Sequence, residues 1–295
     1  MRLEEIARSE LGAMPEPDPL AAALRRIGHA AIAALYDELA LDPKPGLVSF
    51  VDNGSHDDMD TRTFMRSLFA LRHGFHRLAA LGAAGARFGA LEQEGIEAEA
   101  RMLRATAGVN THRGAIFSLG LLCASAGAVA AEGEPLCAAA LRRALVARWG
   151  TALDRRATRP ATSNGSTAAL RLGLRGAGAE AALGFPLLFE VTLPAMQAGL
   201  RRGASARCAR VDALFHTIAV LDDTNLAHRG GLAGLRWAQR VACDFLLAGG
   251  MARPDGLDHA RRIHREFVRR RLSPGGAADL LAAACWAQRV CAPTA

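Results

Sequence analysis

The sequence predicts an all-α fold: a single compact multi-helix domain whose polar loops, at helix ends, form one active-site cleft. Three observations predict it. Alanine and leucine dominate the composition; both are good helix formers, and runs of β-branched residues are scarce. Apolar residues return at spacings of three and four, and no segment alternates convincingly as a strand would. Hydrophobic residues make up 51% of 295, enough for a packed core without a linker long enough to divide it.

The elements follow in order. Residues 1–17 read as a flexible leader with Pro15 and Pro17, and 18–295 as one helical catalytic domain. A helix runs from about Leu20 to Leu41 and stops before Pro43 and Pro45, since proline removes a backbone donor and restricts its predecessor. A loop follows to about Asp60. Phe64, Leu68, Leu71, Phe75 and Leu78 then mark one buried helical face. A Gly/Ala linker near 82–90 precedes a helix over about 91–106. Asn110 or Thr111 can cap the uncharged helix that follows, to about Ala131. A shorter helix covers roughly 135–150. Arg159-Pro160 through Gly184-Phe185-Pro186 holds a helix, a glycine-rich turn and a new helix start. Val211, Leu214, Phe215 and Ile218 give another apolar face. Further helices fall near 231–249, 255–271 and 277–291.

Charge and cysteine content narrow the function classes. Lys+Arg 36 against Asp+Glu 29 leaves +7, which suits an anionic ligand such as a nucleotide or coenzyme. Nucleic acid is not the expected partner, because aromatic residues are only 5% and no recognisable binding motif is present. The stretch from Arg261 to Arg271 reads as a solvated helix face. The six cysteines show no CxxC spacing, so free thiols are expected in place of zinc or disulfides. Met1 to Pro19 lacks the apolar core of a secretion signal. Ala115 to Ala131 is short and diluted by Gly and Ser, as a buried core helix would be. A cytoplasmic protein without membrane association is expected, and a homodimer is the base-rate expectation.

Five polar, glycine-bearing islands interrupt this background: Asp42 to Gly46, Asn53 to Asp60, Gly108 to Gly114, Asp222 to Gly231, and Ser273 to Asp279. Each falls where one helix should end or the next begin. Asp58 and Asp60, beside Asp57, can reach one ion from a loop entering a helix, although plain helix capping explains them too. Asp222 and Asp223 are expected to close the preceding helix. Acids there oppose the helix dipole, which suggests a metal as compensation. Mg²⁺ takes carboxylate oxygen and shares substrate phosphates. His56 suits proton transfer better than magnesium. Gly275 and Gly276 open a helix, and their N–H groups suit an anion. The Gly108–Gly114 island offers the same geometry with His112 and Arg113, and Lys44 and Arg229 are further cations. GxxxxGK[ST] and strand-linked GxGxxG are both missing, so helix ends would have to hold any nucleotide.

The stretches PKPGLVS (43–49), NGSHDDMD (53–60), GVNTHRGAIFSLG (108–120), GFP (184–186), DTNLAHRGG (223–231) and SPGGAADLL (273–281) resemble the triphosphoribosyl-dephospho-coenzyme A synthase family. That family serves malonate decarboxylase or citrate lyase, and the arginine- and alanine-rich character leans towards the first. The resemblance implies an all-α transferase. It joins the ribose C1 of ATP to the 2′-hydroxyl of 3′-dephospho-coenzyme A and releases adenine. The product is the precursor of an acyl carrier protein prosthetic group, passed on to a holo-acyl-carrier-protein synthase. Three positions depart from the family pattern: Gly178, where an arginine is usual, Ala277, where a serine is usual, and Asn164, where a histidine is usual.

On this reading His56, Asp58, Asp60 and Asp223 are the catalytic residues, with Mg²⁺ expected on Asp58, Asp60, Asp223 and Asp279. Lys44, Gly46, Ser55, Asn110, His112, Arg113, Asn225, Arg229, Ser273, Gly275 and Gly276 are expected to hold phosphate or nucleotide. Two other readings remain open at this point: a Mg²⁺-dependent nucleotide or ADP-ribosyl hydrolase on a helical scaffold, and a non-catalytic basic protein that binds nucleotides or RNA.

Overall fold

The computed structural model describes residues 18–157 and 164–291, and every regular element among them is helical. The expected leader, 1–17, and the Arg159-Pro160 step lie outside the described residues. The helices are α1 (Pro19–Ala40), α2 (Thr61–Leu71), α3 (Gly74–Ala83), α4 (Phe88–Ala105), α5 (Arg113–Ala131), α6 (Ala138–Leu145), α7 (Thr151–Ala157), α8 (Asn164–Leu172), α9 (Ala177–Ala182), α10 (Leu193–Arg201), α11 (Ala206–Val220), α12 (Thr224–Leu247), α13 (Gly256–Arg269) and α14 (Gly275–Val290).

The core is built around α5. Its interior positions are buried on all sides, which agrees with a sequence lacking charge from Gly114 to Ala131. It is long and apolar enough to cross a membrane, yet 78% of its most apolar window is buried inside the fold, as in the core helix of a globular domain. Helices α1, α3, α4, α6 and α14 pack around it. Trp286 of α14 is fully buried and donates its indole N–H to the Ile27 carbonyl of α1 at 3.1 Å, so the largest core side chain keeps its polar atom satisfied. Helices α10, α11 and α12 form a second group against α14 and α8. Val211, Leu214, Phe215 and Ile218 of α11 are all 0% exposed, as their spacing predicts.

Three elements differ from the sequence reading. Leu68, Leu71, Phe75 and Leu78 of the expected face are buried and Phe64 is only partly so, and the helix carrying them breaks at Arg72–His73 into α2 and α3. Apolar spacing continues across the break and hides it. The helix expected at 135–150 instead runs on from α6 through a wide π-turn at Val146–Gly150 into α7. Helix α12 begins seven residues before the expected 231, with its backbone interrupted at Gly231 (φ 63°, ψ −168°).

Candidate active site

The loop between α1 and α2 is clasped to the α13–α14 connection. Gly46 has φ 65°, and a Cβ there would lie 2.0 Å from the Leu272 carbonyl oxygen, so only glycine permits this approach. Ser55 donates its hydroxyl to that same oxygen at 2.6 Å, and its N–H bonds the Gly46 carbonyl at 3.0 Å. His264 of α13 reaches the Lys44 carbonyl through Nδ1 at 2.6 Å and the Asp52 carboxylate through Nε2 at 3.0 Å. Gly46 and Ser55, expected on phosphate, therefore shape the loop that carries His56.

His56 joins three islands. Its Nδ1 lies 3.0 Å from Arg229 Nη2 and its Nε2 lies 3.0 Å from Ser273 Oγ. Arginine only donates, so Nδ1 accepts and the ring proton sits on Nε2. Burial, followed by the Arg229 charge, lowers the His56 pKa and keeps the ring neutral. Arg229 also donates through Nη1 to the Ser55 carbonyl at 3.1 Å and the Arg271 carbonyl at 3.3 Å. Asp58 stands 3.7 Å from His56 Nδ1 with its side chain 64% exposed, and Asp57 is more exposed still.

Asp223 corrects one expectation. It does not end α11. It is the N-cap of α12, where the dipole favours an acid. Oδ1 accepts the N–H groups of Asn225 and Leu226 at 2.8 and 3.2 Å, and Oδ2 accepts the Ala277 N–H at 3.0 Å. One buried carboxylate thus ties the start of α12 to the start of α14, and capping accounts for its place without a metal. Asn225 is exposed, and its amide faces Gly275. The Gly275 and Gly276 N–H groups have no protein acceptor among the described residues and stand beside Ser273 at the head of α14. Ala277, the departure from the family's serine, is 0% exposed, so its side chain belongs to the core.

A third group lies deeper. Lys44, the sole lysine of the chain, is 1% exposed and donates to the Glu38 carboxylate at 2.6 Å and the Glu38 carbonyl at 2.7 Å. Burial lowers its pKa, and the Glu38 charge opposes that. Asp279 sits one turn into α14, close enough to Asp223 and Glu38 to feel both charges. Burial first, then those two carboxylates, pushes its pKa well up, while the Ala115 N–H of α5 works the other way. Burial raises Asp223 as well. His112, the residue before α5, is 3% exposed. Its Nδ1 lies 2.6 Å from Ser67 Oγ, and Phe64 meets its ring edge-on at 4.9 Å between centroids. Burial, then the Lys44 charge, lowers its pKa to about 3. Its Nε2 and the Thr111 hydroxyl are buried without a partner among the described residues, which leaves two polar atoms for a bound molecule or water to satisfy.

The remaining expected residues serve the frame. Asp60 caps α2, accepting the Thr63 N–H at 2.8 Å and the Thr63 hydroxyl at 2.7 Å. Asn110 accepts the Arg113 N–H at 3.1 Å, although the N-cap position of α5 belongs to His112 and not to Asn110 or Thr111. Arg113 turns away to Glu99, 2.6 Å from its Nε. Near Gly178, where the family's arginine is missing, Arg175 contacts Glu180 at 3.4 Å. Asn164, the third family departure, lies in α8. Among the described residues, no three His, Cys, Asp or Glu side chains are grouped to hold an ion by themselves. A cavity of about 520 Å³ lies between α1 and α2, lined by Ile32, Tyr36, Met65 and Phe69.

Glu38, Ser67, Asp52 and His264 were missed in the sequence. One signal for Glu38 was available: a solitary lysine among arginines, six residues after an acid in an apolar helix face.

Helix starts meet here in an all-helical protein, with a cation, a neutral histidine and N–H groups that have no acceptor among the described residues, an arrangement that suits a polyanionic ligand. The chain matches the ATP:dephospho-CoA triphosphoribosyl transferase (CitG) family over residues 24–294 and belongs to it. No solved structure matches the chain. Membership makes the protein a transferase whose substrates are ATP and dephospho-coenzyme A.

Proposed function

We propose that the enzyme joins the ribose C1 of ATP to the 2′-hydroxyl of 3′-dephospho-coenzyme A. The C1–O bond forms as the C1–N bond to adenine breaks, the hydroxyl loses its proton, and adenine leaves protonated. The product is 2′-(5″-triphosphoribosyl)-3′-dephospho-coenzyme A. One observation carries this reading: Asp223, His56 and Arg229 bind the starts of α12 and α14 and the 42–60 loop into one polar seam.

The triphosphate would lie at the head of α14. There the Gly275 and Gly276 N–H groups, the Ser273 hydroxyl and Arg229 supply donors and positive charge, with Asn225 beside them. Such donors stabilise charge and hold C1 in line with the incoming hydroxyl. Asp58 is the carboxylate best placed to receive the hydroxyl proton. It is exposed, takes no backbone hydrogen bond among the described residues, and borders His56. Lys44 and His112 support the seam from inside.

Mg²⁺ fits the donor set. Burial raises the proton affinity of both Asp223 and Asp279, and the Asp223 charge raises that of Asp279 further; a cation would relieve that repulsion. Mg²⁺ commonly takes one or two carboxylates and completes its shell with water and phosphate oxygen. Bound there, it would neutralise triphosphate charge. Asp58 lies on the adjoining loop, while Asp60 is held in the α2 cap.

The product would be the precursor of the acyl carrier protein prosthetic group of malonate decarboxylase or citrate lyase, in the cytoplasm, and would pass to a holo-acyl-carrier-protein synthase. Composition leans towards malonate decarboxylase. Mass spectrometry of the reaction of ATP with dephospho-coenzyme A and Mg²⁺ tests the reading. Adenine release that requires the coenzyme, with the joined product, is expected. Adenine release from ATP alone, with ribose triphosphate accumulating, would make the protein a hydrolase.

A further inference from the structure

His56 and Ser273 resemble a base and a nucleophile, but the third partner reverses that role. In a serine nucleophile the histidine must accept the hydroxyl proton, so its far nitrogen carries a hydrogen given to an acceptor. Here the far nitrogen faces Arg229, a pure donor, at 3.0 Å. Nδ1 is therefore the acceptor and Nε2 carries the hydrogen, pointing at Ser273 Oγ 3.0 Å away. The ring has no lone pair left for a hydroxyl proton. Ser273, 3% exposed, receives a hydrogen bond into its oxygen, and its own hydrogen has no acceptor among the described residues. The charged groups that act on the ring are Arg229 on α12 and Asp57 and Asp58 on its own loop, and Arg271, before α14, meets Asp57. The nearest of them, Arg229, disfavours a protonated ring.

We propose that His56 is a positioning residue: clamped by Arg229, it fixes the Ser273 hydroxyl so that its hydrogen points to a phosphate oxygen of the nucleotide at the head of α14. This inference rests on the triphosphate placement above and assigns His56 no proton transfer. It also makes Arg229 the residue that sets the tautomer. A serine hydroxyl left to rotate would donate to any nearby carbonyl. One that accepts Nε2–H keeps its hydrogen for another acceptor, and Ser273 stands two residues before the Gly275 and Gly276 N–H groups at the head of α14.

Steady-state kinetics on three variants tests this. Glutamine carries an acceptor and an N–H donor at about the separation of the two ring nitrogens, and it cannot act as a base at neutral pH. His56→Gln is expected to keep kcat within ~3-fold of the parent. His56→Ala is expected to raise KM for ATP by ~10-fold or more, the scale of one hydrogen bond to a charged group, with kcat little changed. In a Ser273→Ala background, His56→Ala should cost nothing further, because its effect passes through that hydroxyl. A His56→Gln enzyme that has lost ~100-fold or more in kcat, the scale of a general base, would overturn the proposal. So would losses that multiply in the double variant. If His56→Ala does not fold by far-UV circular dichroism, His56→Gln and Ser273→Ala still decide it. A parent enzyme that makes no joined product would instead defeat the functional reading, before any variant is compared.

Discussion

The Asp279 carboxylate occupies the space where a side chain on Gly114 would begin: a Cβ built on Gly114 would lie 1.9 Å from Oδ2 and 2.8 Å from Cγ. Gly114 is the second residue of α5 and Asp279 lies in the first turns of α14. The two helices therefore meet start to start. An acid from one rests on the N-terminal backbone of the other, where the dipole favours negative charge. This contact joins the GVNTHRG and SPGGAAD stretches, 165 residues apart in the chain, and fixes where the second carboxylate stands relative to Asp223.

Replacing Gly114 with alanine should therefore displace Asp279 more than it disturbs the helix. Alanine is the better helix former, so any loss must come from the collision. Overpacking of this kind costs about 1–3 kcal/mol. The expected result is a lowered thermal midpoint with unchanged far-UV helicity and a ~10-fold or greater fall in turnover. A Gly114→Ala enzyme with parental stability and activity would show that Asp279 moves aside freely.

Asp279→Asn separates activity from stability. The folded-state pKa of Asp279 lies above its unfolded value. Its neutral form is favoured in the fold, so its stabilising contribution is complete at low pH and is lost as pH rises from the ordinary carboxylate range through the folded pKa. Asparagine keeps the neutral shape and removes that loss. In Mg²⁺-free buffer near pH 8, the variant should melt no lower than the parent, while turnover falls ~100-fold or more. Melting curves at several pH values, beside turnover, check both halves.

His112 makes the fold acid-sensitive, with the opposite sign. Its folded pKa is lowered to about 3, so between the usual 6.5 and that value the unfolded chain binds a proton that the folded one refuses. Stability from this group is complete above pH 6.5 and falls as pH drops, by about 1.4 kcal/mol per unit. Denaturant unfolding at pH 7 and pH 5 should show the parent losing stability. His112→Asn, which can keep a hydrogen bond to Ser67, should lose distinctly less between the same two pH values. Equal losses in both proteins would move the acid sensitivity elsewhere.

These residues also show what the sequence could and could not disclose. Apolar spacing places helix faces reliably, as in α11, because burial follows periodicity whatever the tertiary contacts. It does not reveal a break that keeps the spacing, so α2 and α3 read as one helix. The islands mark where helices change over, but they do not say to which helix each acid belongs. Asp223 reads as the end of α11 in the sequence but caps α12 in the fold, which reverses the sign of its interaction with the dipole. Arg113 and Lys44 looked like free cations because their partners, Glu99 and Glu38, lie on helix faces whose orientation only packing decides. The pairing of Asp279 with Gly114 depends on two distant helix starts meeting, which no local pattern encodes.

The buried Lys44–Glu38 pair gives the last prediction. Every other basic side chain outside the histidines is arginine, so the single lysine is a matter of shape. Its compact ammonium reaches both the carboxylate and the carbonyl of Glu38 in a space 1% open to solvent, where a planar guanidinium would need a wider slot. Lys44→Met leaves the Glu38 carboxylate buried without its counter-charge, which costs about 3–5 kcal/mol. Lys44→Arg should also destabilise, through size and not charge. The informative variant is the double one, Lys44→Met with Glu38→Leu. It removes both charges and fills the volume with apolar atoms, so much of the lost stability should return, since replacing a buried pair whole is often neutral. Turnover should return less completely, because Lys44 also bears on His112 and Glu38 on Asp279. Chemical denaturation of the three variants, with turnover measured alongside, tests the pair. A double variant no more stable than Lys44→Met alone would show that Glu38 is not the charge Lys44 neutralises.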